Sequence, residues 1–230
     1  MKLAVITARG GSKRIPRKNI KEFCGKPMIA WSIEEAKASG IFDLIIVSTD
    51  DDEIANIAKL CGAEVPFKRP AELADDFAGT GVVVKHAVEW FLNNELTPEF
   101  VCAIYPTAPF IQSSDILKGF DLLVSGQADM AFSVTSFPYP VQRALRVSEM
   151  GSVEMVLPQY RSTRSQELEE LYHDAGQFYW YTLDAILKQL PMFSAHSIPV
   201  VLPRHRVQDI DTLEDWRRAE LMFKCLCEES

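Results

Sequence analysis

The length, composition and charge of this sequence exclude several classes of protein. A chain of 230 residues that is 47% hydrophobic and 24% charged has the composition of a globular protein and the length of one large domain. No apolar run approaches the ~20 residues that a membrane-spanning helix needs, and the N-terminus does not resemble a signal peptide. The net charge of −8 argues against non-specific nucleic-acid binding, and five scattered cysteines favour a reducing compartment. We therefore expect a cytoplasmic protein that binds neither nucleic acid nor membrane.

Short apolar runs alternate with segments of helical periodicity along the first 135 residues. The predicted strands are Leu3–Thr7, Leu44–Val47, Glu64–Phe67, Phe100–Tyr105 and Met130–Thr135. Each of the first four is followed by a predicted helix. Alternation of this kind predicts a three-layer α/β fold, in which a mostly parallel sheet lies between two layers of helices.

This alternation is interrupted between about residues 137 and 172. The segment is polar, with one possible alternating strand around Val153 to Leu157, and has too little apolar surface for a core layer. We interpret it as a dimerisation arm inserted into a single domain of residues 1–230. The core then resumes with an aromatic strand at Gly176–Tyr181, a short helix after Thr182, an edge strand at Ile198–Leu202 and a capping box at Thr212–Asp215 before the last helix.

The most informative segment is the basic loop, residues 8–26, which follows the first predicted strand. It holds seven basic residues and one acidic residue, so its charge is +6 in a chain of net −8. Ligands of open α/β sheets bind outside the carboxyl ends of the strands, where glycine N–H groups and basic side chains meet phosphate oxygens. The basic loop therefore predicts a polyphosphate site, with a merely solvated loop as the alternative. Its spacing is neither GxGxxG nor GxxxxGK[ST], which disfavours a dinucleotide-binding oxidoreductase and a P-loop ATPase.

Two aspartates near the C-terminus, Asp209 and Asp211, are separated by one apolar residue. In a strand both carboxylates would share one face while Ile210 faces the core, an arrangement that suits Mg²⁺. The alternative is a charge pair ahead of the last helix, whose dipole favours acidic residues. The same two interpretations, a metal ligand or a partner of the helix dipole, apply to Asp50, which lies in an acidic run that opens a predicted helix. A phosphate site elsewhere in the chain favours the metal interpretation of Asp209 and Asp211, because nucleoside triphosphates normally bind together with Mg²⁺.

Six motifs follow one another along nearly the whole chain: ARGGSKRIPRKN, FCGKPMIAWSI, IIVSTDDDEIA, RPAEL, PTAPF and the late DID. Together they resemble the CMP-sialic acid synthetase family of cytidylyltransferases. The resemblance implies a Rossmann-like nucleotidyltransferase fold, a homodimer, and transfer of CMP from CTP to a nine-carbon 2-keto acid sugar with release of pyrophosphate. The run YRSTRSQELEELYHDAGQFYWY, together with Tyr105 before Pro106-Thr107, resembles members that act on pseudaminic acid in bacterial surface-sugar synthesis.

The resemblance also implies roles for residues at matching positions. The implied nucleotide site consists of Ala8, Arg9, Gly10, Gly11, Ser12, Lys13, Lys18, Arg69 and Thr80. Asp209 and Asp211 correspond to the Mg²⁺ ligands, and with Arg9 and Lys18 they form the implied catalytic set. The implied sugar site consists of Tyr105, Thr107, Gly176, Gln177 and Tyr179, together with Arg143, Arg161 and Arg164 of the arm, which would reach the site of the second subunit.

The implied mechanism is in-line attack by the anomeric hydroxyl of the sugar on the α-phosphorus of CTP. Mg²⁺ would polarise the α-phosphate, while Arg9, Lys13 and Lys18 neutralise the leaving pyrophosphate. Sialic acid synthetases carry Gln at the position of Tyr105 and Asn-Gly at Ala175-Gly176, a departure that concerns the sugar and not the nucleotide. The alternatives are an N-acetylneuraminate or legionaminate synthetase, the synthetase of an eight-carbon keto-deoxy sugar, and a nucleotide-binding regulatory protein without turnover.

Overall fold

A six-stranded sheet forms the centre of the computed structural model, which describes residues 1–75 and 77–228. The strands in these ranges are β1 (Lys2–Thr7), β2 (Glu22–Phe23), β3 (Lys26–Pro27), β4 (Leu44–Ser48), β5 (Phe100–Ile104), β6 (Met130–Ser136), β7 (Leu145–Val147), β8 (Val153–Met155), β9 (Tyr172–Thr182) and β10 (Ser197–Val201). The central sheet has the order β10-β6-β9-β5-β1-β4, while β2–β3 and β7–β8 are separate two-stranded hairpins.

Most neighbouring strands of the central sheet run parallel. β1 is parallel to β4 and to β5, and β10 is parallel to β6. β9 lies between β5 and β6 and is antiparallel to both. The continuous apolar runs of the sequence form strands of this sheet. They contain few polar residues because a strand that is covered on both faces has no polar face to present to water.

Helices cover both faces of the sheet. They are α1 (Met28–Ala38), α2 (Asp52–Leu60), α3 (Thr80–Asn93), α4 (Ser113–Ser125), α5 (Leu183–Leu187) and α6 (Leu213–Glu228). Alternate residues of β1 show the two layers: Ala4 and Ile6 pack with α1, α2 and α4, whereas Leu3 and Val5 pack with α3 and α5. The predicted three-layer α/β fold with a mostly parallel sheet is therefore confirmed. None of the helices in the described ranges is long and apolar enough to span a membrane.

Two predicted details of the secondary structure are wrong. Glu64–Phe67 is not a strand, since its pairing is limited to one isolated bridge between Ile46 and Glu64. Pro66 has no N–H to offer to a sheet, which explains why the pairing stops there. The segment around Asp209 and Asp211 also lies outside any strand and forms an extended loop before α6.

A third apolar cluster lies beside the sheet and joins the two ends of the chain. It contains Phe23 of β2, Trp216 of α6 and two residues that flank charged groups, Ile15 of the basic loop and Ile210 between the two aspartates. Phe23 and Trp216 meet edge to face with ring centroids 5.4 Å apart. Because Ile15 and Ile210 are both fully buried in this cluster, the basic loop and the aspartates are fixed next to each other.

The predicted arm lies between β6 and β9 and contains the β7–β8 hairpin and several 3₁₀ turns. Its large apolar side chains are unusually exposed: 60% for Leu145, 69% for Val147, 93% for Met150 and 60% for Val153. A dimerisation role for this segment stays a prediction.

Candidate functional site

An open cavity of about 300 Å³ lies where β1 and β5 end and the basic loop begins. This is the edge of the sheet at which open α/β folds bind their ligands. Its lining consists of Thr7, Arg9, Ser12, Lys13, Arg14, Ile15, Lys18, Asn19, Arg69, Ala78, Thr80, Val83, Tyr105, Pro106, Thr107 and Asp211. Five of these side chains are cationic and one is anionic, so the cavity suits a polyanion.

Backbone contacts hold the start of the basic loop against β4 and α2. The Asn19 amide donates to the carbonyl of Arg9 at 2.8 Å, and the N–H of Gly10 donates to the Asp50 carboxylate at 2.9 Å. A side chain at Gly10 would force Asp51 or the basic loop to shift, because a Cβ there would lie 2.9 Å from the nearest carboxylate oxygen of Asp51. Gly11 has nothing within 4 Å of the corresponding position.

Arg17 and Asp51 form the second attachment of the basic loop. The guanidinium of Arg17 donates to both carboxylate oxygens of Asp51, at 2.5 and 2.9 Å, and also pairs with Glu53. Asp51 in turn caps α2 by accepting from the N–H groups of Glu53 and Ile54. Arg17 takes a left-handed conformation at φ 57°, which costs a non-glycine residue energy that these bonds offset. The pKa of Asp51 is lowered to about 2, chiefly by the hydrogen bond from Arg17 and also by the capping bonds, while burial acts in the opposite direction.

Of the two aspartates near the C-terminus, Asp211 lines the cavity beside the basic loop, and Asp209 lies two residues before it, outside the lining. The predicted strand is absent, but the predicted alternation of environment is present, because Ile210 is fully buried while Asp209 and Asp211 reach solvent. Lys18 Nζ donates to the Ile210 carbonyl at 2.6 Å and to Asp211 Oδ1 at 3.3 Å. The pKa of Asp209 is raised, first because protein atoms displace water from its carboxylate and second because the charge of Asp211 repels its own.

Arg69 forms part of the cavity wall, although only 5% of the residue is exposed to solvent. Its guanidinium donates to the hydroxyl of Ser48 at 3.1 Å and to the carbonyl of the same residue. Burial lowers its pKa to about 10, and the charge of Asp50 acts in the opposite direction. The side chain therefore stays cationic at neutral pH in a position fixed by the end of β4.

A group of hydroxyls borders the cavity on the side of β5 and β9. Thr80 Oγ1 lies 3.2 Å from the hydroxyl of Tyr105, and the ring of Tyr105 packs against Tyr179 at a centroid distance of 5.3 Å. The hydroxyl of Tyr179 donates to Asp174, whose carboxylate also accepts the N–H of Gly176. Burial, followed by the nearby Tyr105 and Asp174, raises the pKa of Tyr179, so that it stays protonated.

Nine of the nineteen predicted site residues line this cavity, and Gly10, Gly11 and Asp209 are among those that do not. Predicted residues that line it are Arg9, Ser12, Lys13, Lys18, Arg69, Thr80, Tyr105, Thr107 and Asp211. Ala8, the first residue of the basic loop, is fully buried, and Gln177 is buried with its amide donating to the Arg206 carbonyl. Gly176 and Tyr179 stand behind Tyr105. Arg143, Arg161 and Arg164 lie on the predicted arm and do not line the cavity of their own chain.

Sequence reasoning missed three residues of this region. Arg14 lines the cavity and pairs with Asp211, Asn19 holds the Arg9 carbonyl, and Asp174 holds Tyr179. Arg14 and Asn19 belong to the quoted motif of the basic loop but were not singled out within it. No sequence pattern marks Asp174. Its partner Tyr179 lies in the same strand, beyond an irregularity that appears only in the register of β6 against β9.

The comparisons with known proteins agree on one family. The cytidylyltransferase family profile matches residues 3–208. The pseudaminic acid cytidylyltransferase of Campylobacter jejuni is 43% identical over 222 residues, which are 96% of this chain and 96% of that protein. A Helicobacter pylori protein described as pseudaminic acid cytidylyltransferase and UDP-2,4-diacetamido-2,4,6-trideoxy-beta-L-altropyranose hydrolase is 36% identical over 96% of this chain and 42% of its own length.

A solved structure has the same fold. The structure of CMP:2-keto-3-deoxy-manno-octonic acid synthetase complexed with CTP superposes with a TM-score of 0.69, covering 97% of this chain and 98% of that one at 17% identity. The expectation of a Rossmann-like nucleotidyltransferase fold is therefore confirmed.

Proposed function

The chain belongs to the cytidylyltransferase family, and on that basis we propose that it transfers CMP from CTP to pseudaminic acid, with release of pyrophosphate. The proposal of pseudaminic acid as the acceptor rests on the 43% identity to the Campylobacter jejuni enzyme, which extends over 96% of both chains. The cavity supports the nucleotide half, because five cationic side chains surround a space bordered by Asp211. We propose that the reaction takes place in the cytoplasm, and the cysteine content of the sequence supports this compartment. We also propose that it is a step in bacterial surface-glycan synthesis or flagellin glycosylation.

Asp209 and Asp211 fit a Mg²⁺ ion that arrives with the nucleotide. The charge of Asp211 helps to raise the pKa of Asp209, so the two carboxylates lie near each other, and both reach solvent. In the described ranges no group of three or more His, Cys, Asp or Glu side chains is arranged to hold a metal, so the remaining ligands would come from phosphate and water. When bound, Mg²⁺ supplies charge neutralisation and polarisation of the α-phosphate.

The chain's own residues orient CTP and stabilise the leaving group. The anomeric hydroxyl of the sugar forms a bond to the α-phosphorus, the bond to the β-phosphate oxygen breaks, and pyrophosphate leaves as the hydroxyl loses its proton. Arg9, Lys13 and Lys18 face the charge that develops on the pyrophosphate. Lys18 is best fixed for this role, because the Ile210 carbonyl holds its ammonium group at 2.6 Å. Tyr105 and Thr107 border the acceptor side.

The arm supports a proposed homodimer. Its exposed apolar side chains would be covered by a second copy of the chain, and Arg143, Arg161 and Arg164 would then face the sugar carboxylate or the pyrophosphate of the other subunit. Within one chain these arginines do not line the cavity, which favours a role across the interface.

The decisive experiment measures pyrophosphate release with CTP and Mg²⁺ in the presence of pseudaminic, legionaminic or N-acetylneuraminic acid, with ATP, GTP and UTP as nucleotide controls. We expect release with CTP and pseudaminic acid. Asp211→Asn and Lys18→Ala should each reduce turnover by about 100-fold or more, as loss of a transition-state contact does. The matched variant Asp52→Asn should stay near wild type, because Asp52 is exposed, pairs with Lys68 and does not line the cavity. Release with a different acceptor would redirect the assignment, and CTP binding without turnover would favour the regulatory alternative.

A further inference from the structure

The carboxylate of Asp211 is shared between two cations of the basic loop. Arg14 Nη2 lies 2.8 Å from Oδ2, and Lys18 Nζ lies 3.3 Å from Oδ1. Each oxygen of this carboxylate therefore faces one positive group. A divalent cation that ligates Asp211 competes with these two groups, because a guanidinium or ammonium group and a metal ion repel each other at these distances.

The two cations are held very differently. The Lys18 side chain is 19% exposed and its ammonium group is anchored by the Ile210 carbonyl at 2.6 Å. The Arg14 side chain is 67% exposed, and an ion pair in such a position is weak. Arg14 is therefore the partner that can leave at small cost, and Oδ2 is the oxygen that becomes available.

We propose that Arg14 is a displaceable counter-ion of the metal site, which occupies Oδ2 of Asp211 in the free protein and moves to the nucleotide phosphates when the metal and CTP bind. The inference rests on the metal role proposed above for Asp209 and Asp211. Arg14 lines the same cavity as Lys13 and Lys18, so its guanidinium can turn from the carboxylate to a phosphate without crossing the protein surface.

This exchange makes the binding of metal and nucleotide interdependent. Without CTP, Arg14 competes with the metal for Asp211 and weakens metal binding. With CTP, the freed guanidinium has a phosphate partner, so the same residue no longer opposes the metal. By reciprocity, the factor by which CTP tightens metal binding equals the factor by which the metal tightens CTP binding. Arg14 therefore increases this factor.

The test is titration with Mn²⁺, with free Mn²⁺ followed by electron paramagnetic resonance, in the absence and presence of CTP and without acceptor sugar. In the absence of CTP, Arg14→Gln should bind Mn²⁺ about two- to fivefold more tightly than wild type, which is what an exposed ion pair is worth. Arg14→Lys, which keeps the charge, should lie between the two. With CTP present the advantage of Arg14→Gln should disappear, so that its coupling factor is smaller than that of wild type.

Lys21→Gln is the matched control, because it removes one charge from the same loop at a side chain that lies over the Trp216 ring. Its Mn²⁺ affinity should equal that of wild type. If Arg14→Gln binds Mn²⁺ no more tightly than wild type while Asp211→Asn weakens binding in the presence of CTP, the counter-ion role of Arg14 is overturned and the metal role of Asp211 stands. If Asp211→Asn leaves the CTP-dependent binding of Mn²⁺ unchanged, the metal assignment itself fails, and the inference fails with it.

Discussion

Asp174 accepts the hydroxyl of Tyr179 through both carboxylate oxygens, at 2.8 and 2.9 Å, and thereby fixes a ring that is 2% exposed. Tyr179 supports Tyr105, which borders the cavity on the proposed acceptor side. Asp174→Ala would leave the buried hydroxyl without its acceptor, a loss of about 1–3 kcal/mol. We expect the KM for the sugar to rise about fivefold or more while the KM for CTP changes little.

Asp174→Asn provides the comparison, because its amide oxygen can still accept from Tyr179. It should recover most of the lost sugar affinity. Equal increases in both KM values for Asp174→Ala would show general damage to the fold rather than a role in positioning the acceptor.

Gly10 and Gly11 should respond differently to the same substitution. Gly10→Ala places a methyl group 2.9 Å from the nearest oxygen of Asp51, so either the basic loop or the cap of α2 must move. We expect CTP affinity to fall about tenfold or more, because the phosphate-facing backbone shifts with the loop. Gly11→Ala meets nothing within 4 Å and should retain affinity within about twofold of wild type, since exposed sites tolerate substitution. Calorimetric titration with CTP measures both, and equal losses would contradict this account.

Several features of this protein could be predicted from the sequence because they depend on local chemistry. The apolar run of β1 and the capping box of α6 are examples: Thr212 N–H donates to Asp215 at 2.8 Å, and Asp215 N–H donates back to Thr212 at 3.2 Å. The glycines and cations of the basic loop predict a phosphate site, and four of those cations, Arg9, Lys13, Arg14 and Lys18, line the cavity; phosphate binding there stays a prediction.

Other features depend on contacts between distant residues and could not be read from local patterns. The antiparallel position of β9 between two parallel strands is set by pairing on both of its edges. The pairing of Arg14 with Asp211 links parts of the chain that no motif joins. The alternation of aspartate, isoleucine and aspartate at residues 209–211 suits a strand, but an extended loop over an apolar cluster produces the same alternation of buried and solvated side chains.

Because of the ion pair between Arg17 and Asp51, the free energy of unfolding should decrease at acidic pH. The pKa of Asp51 is lowered from 3.8 to about 2 in the folded protein, so its stabilising contribution is complete above 3.8 and is lost as the pH falls from 3.8 to about 2. Asp51→Asn still caps α2 but has no charge for Arg17, and we expect it to be about 1–2 kcal/mol less stable at neutral pH.

Urea unfolding of wild type and Asp51→Asn at several pH values measures this effect. The difference in the free energy of unfolding should be constant near neutrality and should shrink below 3.8. The control is Asp52→Asn, whose side chain is 85% exposed and which should change stability by less than about 0.5 kcal/mol. A difference for Asp51→Asn that stays constant down to acid pH would show that Arg17 does not depend on the charge of Asp51.

If the arginines of the arm act on the other subunit, two inactive variants should complement each other. Asp211→Asn has a defective cavity and an intact arm, whereas Arg161→Ala combined with Arg164→Ala has the opposite defects. After subunit exchange, about half of the dimers are mixed and each contains one complete site, so pyrophosphate release should recover to about a quarter of the wild-type rate.

The control for this experiment places all three substitutions in one chain. Mixed with the double arginine variant, that chain offers no intact arm, and activity should stay low. Failure of the first mixture to recover, at a subunit exchange verified by mass spectrometry, would place the arginines in the site of their own chain or outside the reaction.

The contact between Lys18 and the Ile210 carbonyl joins residues 192 positions apart. A growing polypeptide that has left the ribosome with β1 and the basic loop already carries most of the cationic groups of the cavity, yet it has neither aspartate. Ile15, Phe23 and Met28 then lack the partners that α6 supplies and stay open to water until α6 has been synthesised. The nascent chain therefore exposes a hydrophobic patch next to a strongly positive one until the C-terminal segment covers the first and brings carboxylates to the second.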